Sequence, residues 1–139
     1  MKKTVAIIIC VIMVMCIFCA CANQQEITAP SGVTFTSKNF SVVDSFESVV
    51  PEAGNQLLAV TVHSALGTDP DSIIDLFFGE EKSNAIDKAG IAYPCTSVVY
   101  GETENAFALT ALYEIPSGMG NETFTISGPF ESFSGTAKK

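Results

Sequence analysis

The feature that most constrains this chain is an uninterrupted apolar segment close to its start. Residues 5–22 contain no charged side chain, and Lys2 and Lys3 stand just before them. A short basic stretch before an apolar run is typical of an export leader, because the positive charge stays on the cytoplasmic side and directs the remaining chain outward. We therefore exclude this segment from the fold and expect the rest of the chain to cross the membrane.

The end of the apolar segment predicts how the leader is processed. Phe18, Cys19, Ala20 and Cys21 place an apolar residue, two small residues and a cysteine in the order of a bacterial lipobox. Signal peptidase needs small side chains before its cut, and a thiol is nucleophilic enough to take a diacylglyceryl group as a thioether. We expect residues 1–20 to be a lipoprotein signal peptide and Cys21 to carry the lipid.

Two other outcomes for the leader stay open. An apolar run of about 18 residues just reaches membrane-spanning length, so the segment could remain as an uncleaved anchor. An ordinary signal peptide, cut after Ala20 or Ala22, would instead release the protein. The lipobox favours a lipid-anchored protein on the extracellular face of the cell membrane.

The chain after the leader is one small acidic domain. Residues 22–139 contain five lysines, no arginine and fifteen carboxylates, which gives a formal charge of about −10 at neutral pH. This charge argues against nucleic acid as a partner and favours cations or basic protein patches. Only Cys95 remains in the domain, so no intrachain disulfide is available.

Alternating apolar and polar residues indicate that this domain is mainly β. Apolar side chains occupy every second position in residues 57–63, in residues 106–113 and at Phe124 and Ile126. Strands that cover a core with one face show this pattern. Further strand segments are expected at residues 33–37, 40–46 and 97–100. Short strands separated by Pro- and Gly-containing turns predict an antiparallel β-sandwich.

The sandwich is expected over residues 33–134. Residues 22–31 are polar and lack periodicity, so we predict that the lipidated Cys21 is followed by a flexible tether that runs to residue 32. A polar tail is expected at residues 135–139.

One segment of the domain could be helical. Asp69 would cap it, Pro70 suits the first turn and Gly79 could end it. This pattern predicts a helix over Pro70–Phe78. Its apolar stripe would consist of Ile73, Ile74, Phe77 and Phe78. A buried strand at residues 73–78 is an open alternative, because periodicity does not separate the two in so short a run.

Three segments carry a resemblance to a known family. They are residues 54–63, residues 87–93 with Asp87, Gly90 and Tyr93, and residues 111–118 with Pro116 and Gly118. In this order they resemble the immunoglobulin-like domains of unknown function found in Gram-positive bacterial lipoproteins. The resemblance covers roughly residues 33–128, implies an immunoglobulin-like sandwich, and supplies no catalytic residue.

The sequence gives little support for catalysis. His63 is the one histidine, and it falls at the end of a predicted strand, where a partly buried residue is the plainer interpretation. Cys95 is expected to be an inert buried thiol. Since no nucleophile-elbow motif occurs either, we expect no enzymatic activity and no cofactor.

Five carboxylates within thirteen residues form the one candidate metal site: Asp69, Asp71, Asp75, Glu80 and Glu81. Hard oxygen ligands of this kind suit extracellular Ca²⁺. The spacing does not match an EF-hand, because Ile73 and Ile74 occupy positions that need a ligand and a glycine. A solvated acidic loop is the plainer interpretation.

Two functions are consistent with these features. The first is a non-catalytic binding or scaffolding domain that contacts another envelope protein through an exposed apolar patch. The side chains considered for that patch are Tyr93, Tyr100, Phe130 and Phe133, although core filling is the plainer role for each. The alternative is a small-ligand or Ca²⁺ sensor that uses the acidic loop at residues 69–81.

Overall fold

The computed structural model of the protein describes residues 24–102 and 104–139. The predicted signal peptide and Cys21 lie outside the described residues, as do the alternatives of an uncleaved anchor or a released protein. None of the helices in the described residues has the length and apolar character needed to cross a membrane.

The described chain is built from strands joined by short connections, with one helix. The elements are β1 (Glu26–Thr28), β2 (Thr34–Val43), β3 (Asn55–Ala65), α1 (Pro70–Phe78), β4 (Asn84–Ile86), β5 (Ala92–Glu102), β6 (Ala106–Pro116), β7 (Thr123–Gly128) and β8 (Phe130–Thr136). The segments predicted at residues 33–37 and 40–46 fall on one strand, β2, which has a bulge at Lys38 and ends at Val43. The predicted all-β class is confirmed.

The strands pair in the order β1-β2-β3-β6-β5-β4-β7-β8, and neighbouring strands are antiparallel. The order turns a corner within β5, because its first residues pair with β4 and the residues from Cys95 onward pair with β6. A register shift between Cys95 and Ser97 marks the corner, since a bulge bends a strand. One layer is thus β2-β3-β6-β5 and the other β4-β7-β8, the order found in constant-type immunoglobulin domains. The predicted antiparallel sandwich is confirmed.

One apolar core fills the space between the layers. The inward side chains of β3 and β6, among them Leu58, Val60 and Leu109, are buried against Phe124 and Ile126 of β7. Beside them lies a set of contacting aromatic rings: Phe35, Phe40, Phe77, Phe130 and Phe133. Tilted and edge-to-face rings of this kind add about 0.5–1.5 kcal/mol per pair beyond area burial. Phe130 and Phe133, considered for an exposed patch, therefore fill the core.

Residues 70–78 are a helix, and the strand alternative is wrong. The Asp69 carboxylate accepts a hydrogen bond from the Asp71 amide, Pro70 stands in the first turn, and the Gly79 amide donates to the Asp75 carbonyl. These are the end signals that the sequence contained. They decide the conformation because a nine-residue segment is too short for propensity alone.

The apolar stripe of α1 differs from the predicted one. Its buried residues are Ile73, Leu76 and Phe77, whereas Ile74 is only partly buried and Phe78 is 36% exposed. Positions three and four apart share a helix face, while adjacent positions do not. Leu76 therefore belongs to the face of Ile73, and Phe78 turns toward solvent.

The folded domain begins before residue 33. Residues 26–28 of the predicted flexible tether form β1, which pairs with β2 and buries Ile27 completely. The prediction of a tether up to residue 32 is wrong for this part, because one apolar residue between polar neighbours gives no readable alternation. The Gln25 carbonyl also accepts a hydrogen bond from the Ser37 amide. The hydrogen-bonded structure therefore includes Gln25, which is four residues after Cys21 in the sequence.

The predicted polar tail at residues 135–139 is also part of the fold. β8 continues to Thr136, and Ala137 is fully buried. The Lys138 amide donates to the Phe40 carbonyl at 3.0 Å, and its own carbonyl accepts from the Val42 amide at 2.8 Å. This bridge is parallel to β2. The last residues thereby join the β2 edge of one layer to the β8 edge of the other, and we call this junction the seam.

Candidate functional site

The structure does not bring the five predicted metal ligands together. Asp69 is occupied as the helix cap, with its carboxylate accepting from the Asp71 amide at 3.3 Å and the Ser72 hydroxyl at 3.0 Å. Glu80 and Glu81 follow the helix, which places about 14 Å of axial rise between them and its start. Across residues 24–102 and 104–139, no group of three or more His, Cys, Asp or Glu could hold a metal ion. The predicted ligand set, Asp75 included, is not assembled.

His63 and Cys95 lie on opposite faces of one layer. Cys95 is opposite Tyr113 of β6 and points into the core, whereas His63 is opposite Ala108 on the outer face. Five residues of β6 separate these two positions, which corresponds to about 17 Å along the strand. The two side chains therefore do not form a nucleophile and base pair.

Cys95 belongs to a buried polar cluster behind α1. The Ser83 hydroxyl donates to the Phe77 carbonyl at 3.0 Å, so the Tyr113 hydroxyl, 2.7 Å away, donates to Ser83 Oγ. Burial raises the pKa of the Cys95 thiol to about 11 and also raises the pKa of Tyr113. The thiol stays protonated at neutral pH, in agreement with the predicted inert buried cysteine.

The outer face of the layer β2-β3-β6-β5 carries no carboxylate over most of its area. We call this surface the uncharged face and define it by the outward positions Thr36, Ser41, Thr61, His63, Val99, Gly101, Ala108 and Thr110. The Thr61 and Thr110 hydroxyls bond each other at 3.0 Å. The surface is thus built mostly from short side chains, and its two central hydroxyls bond each other.

The two ends of this layer differ. Toward Leu57, residues 44–50 fold over the sheet, and Phe46 and Val49 pack on Leu57 and Leu112 in a second small apolar cluster. Glu114, at the same end, accepts hydrogen bonds from the Glu52 amide and the Asn55 side chain. The chain therefore covers one end of the layer itself and leaves the uncharged face open.

His63 is the one ionisable group of the uncharged face. Its Nδ1 is buried and has no hydrogen-bond partner among the described residues. Burial lowers its pKa, and the nearby charge of Lys38 lowers it further. The imidazole is therefore neutral at pH 7, and the positive charge that acts on it comes from Lys38 at the β2 edge of the face.

The two tyrosines considered for an exposed patch have different roles. The Tyr93 hydroxyl donates to Asp87 at 3.1 Å, and its ring packs against the core. Tyr100 is 55% exposed, but strand alternation places it on the other side of β5 from Val99. Neither contributes to the uncharged face, which the sequence analysis missed. Its signal, a lack of charge at alternate positions, becomes visible only once the strand order is known.

No family model, curated protein or solved structure matches this chain.

Proposed function

We propose that the protein is a lipoprotein anchored to the extracellular face of the cell membrane through Cys21. Its domain is a non-catalytic module that binds or scaffolds another envelope protein. The anchor rests on the lipobox pattern at residues 18–21.

The uncharged face is the observation that carries the binding role. The domain has a formal charge of about −10, yet this face holds no carboxylate and its histidine is neutral. Charged residues are depleted at the centre of protein interfaces, since a charge buried without a partner costs several kcal/mol. Short side chains also let the partner's larger side chains approach the sheet closely.

Site-specific photo-cross-linking in cells tests the binding role. A photoreactive residue at Ala108 lies on the uncharged face, and the matched control is Thr125, a half-buried position on β7 in the other layer. We expect one envelope protein to be captured from Ala108, not from Thr125, and to be lost in Cys21→Ala. Equal capture from both positions, or capture from neither, contradicts the proposal.

A second measurement separates the anchor from the binding role. Intact-mass spectrometry of the protein from cells should show a diacylglyceryl group on Cys21. A chain that is cleaved elsewhere, or that carries an unmodified Cys21, refutes the lipoprotein assignment, whereas capture from Ala108 and not from Thr125 in the same cells would still support the binding role.

A further inference from the structure

The direction of β1 determines which side of the domain lies nearest to Cys21. β1 is antiparallel to β2, and Gln25 lies beside Ser37, so the chain before it runs past Lys38. Only three residue steps separate Gln24 from Cys21, a reach of about 10 Å at full extension. A lipid on Cys21 therefore holds this side of the domain against the membrane surface.

A pocket of about 110 Å³ opens on the same side, in the seam between β2 and β8. Its lining includes Lys38 and Asn39 from β2, residues 134–136 from β8, and Lys138. Two of the five lysines of residues 22–139 thus line one small cavity, close to Gln25.

The backbone explains why the two lysines meet. β2 pairs with β1 as far as Ser37 and with Lys138 from Phe40 onward, and the bulge between them leaves Lys38 and Asn39 exposed. β8 lies close to the bulge, as the space at Gly135 shows. A Cβ added to Gly135 would clash with the Phe40 ring. The close approach brings Lys138 to the same cavity as Lys38.

The pocket is an unneutralised positive site in an acidic domain. Neither Lys38 nor Lys138 has an ion-pair partner among residues 24–102 and 104–139. By contrast, the Lys82 ammonium lies over the Phe78 ring, 4.7 Å from its centroid. The nearest acidic position along the neighbouring strand is Glu26, opposite Thr36. An anion from outside the domain would complete the charge balance.

We propose that this pocket receives the phosphate of an anionic lipid headgroup in the membrane that holds Cys21. The domain would lie on the bilayer with the seam downward, because anionic lipid attracts the two pocket lysines and repels the carboxylates elsewhere on the domain. The uncharged face begins beside the seam, where Asn39 is opposite Thr61, and its positions on β6 and β5 extend away from the seam and stay open to a partner. This inference rests on the proposed anchor at Cys21.

Lysine footprinting on the full lipidated protein tests the inference. The protein is placed in vesicles of phosphatidylcholine alone or with phosphatidylglycerol, and the acylation rate of each lysine is followed by mass spectrometry. We expect Lys38 and Lys138 to react roughly fivefold more slowly in the anionic vesicles, the factor that one lysine gains at such a surface. Lys82 and Lys88 are internal controls and should not change.

Three outcomes decide against the proposal in different ways. Equal rates at Lys38 and Lys138 in both vesicles, on protein whose Cys21 carries lipid, overturn the inference and leave the anchor intact. Equal protection by inorganic phosphate in phosphatidylcholine vesicles assigns the pocket to free phosphate instead. An unmodified Cys21 refutes the anchor itself, and with it the geometric basis of the inference.

A pair of double variants tests the pocket without relying on the acylation rates of its lysines. Lys38→Gln/Lys138→Gln and Lys82→Gln/Lys88→Gln have the same net charge. Hydrogen exchange of the Asn39 and Gly135 amides should slow in anionic vesicles for the protein and for the second variant, but not for the first. Slowing in both variants contradicts a role for the pocket lysines.

Discussion

The hydrogen-bonded chain from Tyr113 through Ser83 to the Phe77 carbonyl joins the end of α1 to β6, and its removal should be costly. Both side chains are fully buried. Ser83→Ala leaves the Tyr113 hydroxyl without an acceptor, and a buried polar group without a partner costs about 1–3 kcal/mol. The Phe77 carbonyl still accepts a hydrogen bond from the residue 83 amide, at 3.0 Å. We therefore expect a loss of unfolding free energy near the middle of that range, about 2 kcal/mol.

Tyr113→Phe should cost less than Ser83→Ala. It removes the donor, whereas Ser83 still donates to Phe77, and we expect a loss of about 1 kcal/mol, the net value of one hydrogen bond. The double variant removes both hydroxyls, so neither one is left without its partner. The two losses should therefore fall short of additivity by about 1 kcal/mol, within the range for directly contacting groups.

Urea unfolding followed by circular dichroism, on a chain that starts at residue 22, measures these differences. Thr123→Ala is the control, because its hydroxyl bonds Thr136 at an exposed site and exposed substitutions stay within about 0.5 kcal/mol. Strict additivity of Ser83→Ala and Tyr113→Phe, or a Ser83→Ala loss no larger than that of the control, would refute the reasoning.

Three further predictions use the same unfolding assay. Ile27→Ala should cost about 2–5 kcal/mol as a buried truncation, whereas Thr28→Ala, exposed on the same strand, should change little; equal effects would contradict the assignment of β1 to the domain. Gly135→Ala should cost about 1–3 kcal/mol by overpacking, and Gly101→Ala, where a Cβ meets nothing within 4 Å, should be nearly neutral; a neutral Gly135→Ala would contradict the close approach. Because burial raises the pKa of Cys95 from 9.0 to about 11, the folded state keeps a proton that the unfolded chain loses, so stability should fall between about pH 9 and pH 11. Cys95→Ala should lessen this fall, and an unchanged pH profile would contradict a buried, protonated thiol.

The two proposals together describe a domain held against the bilayer by one side. Backbone pairing in the fold includes Gln25, so only a few residues separate the fold from the proposed lipid. The domain therefore cannot move far from the bilayer or turn freely above it. The uncharged face would then be presented beside the membrane, where a membrane-bound partner could meet it. A partner anchored in the same membrane also gains from the raised effective concentration.

Local patterns were sufficient wherever an element was long or carried end signals. β3 and β6 are eleven residues long, and their alternation is readable over residues 57–63 and 106–113. The helix has its cap at Asp69 and its stop at Gly79. β1 and β4 have three residues each, which is too few for any period to show. Their strand state comes from backbone hydrogen bonds to neighbours that are distant along the chain.

The sequence by itself determined the apolar segment at residues 5–22, the acidic charge and the β class, and it indicated a helix at Pro70–Phe78 beside a strand alternative, because each depends on composition or on residues close together in the chain. Only the tertiary structure decided the rest. It separated the carboxylates of residues 69–81, since Asp69 is used to cap the helix. It also assembled the uncharged face and the seam that joins Lys38 to Lys138, because these surfaces arise from the order in which strands pair, and sheet pairing brings together residues that no local pattern connects.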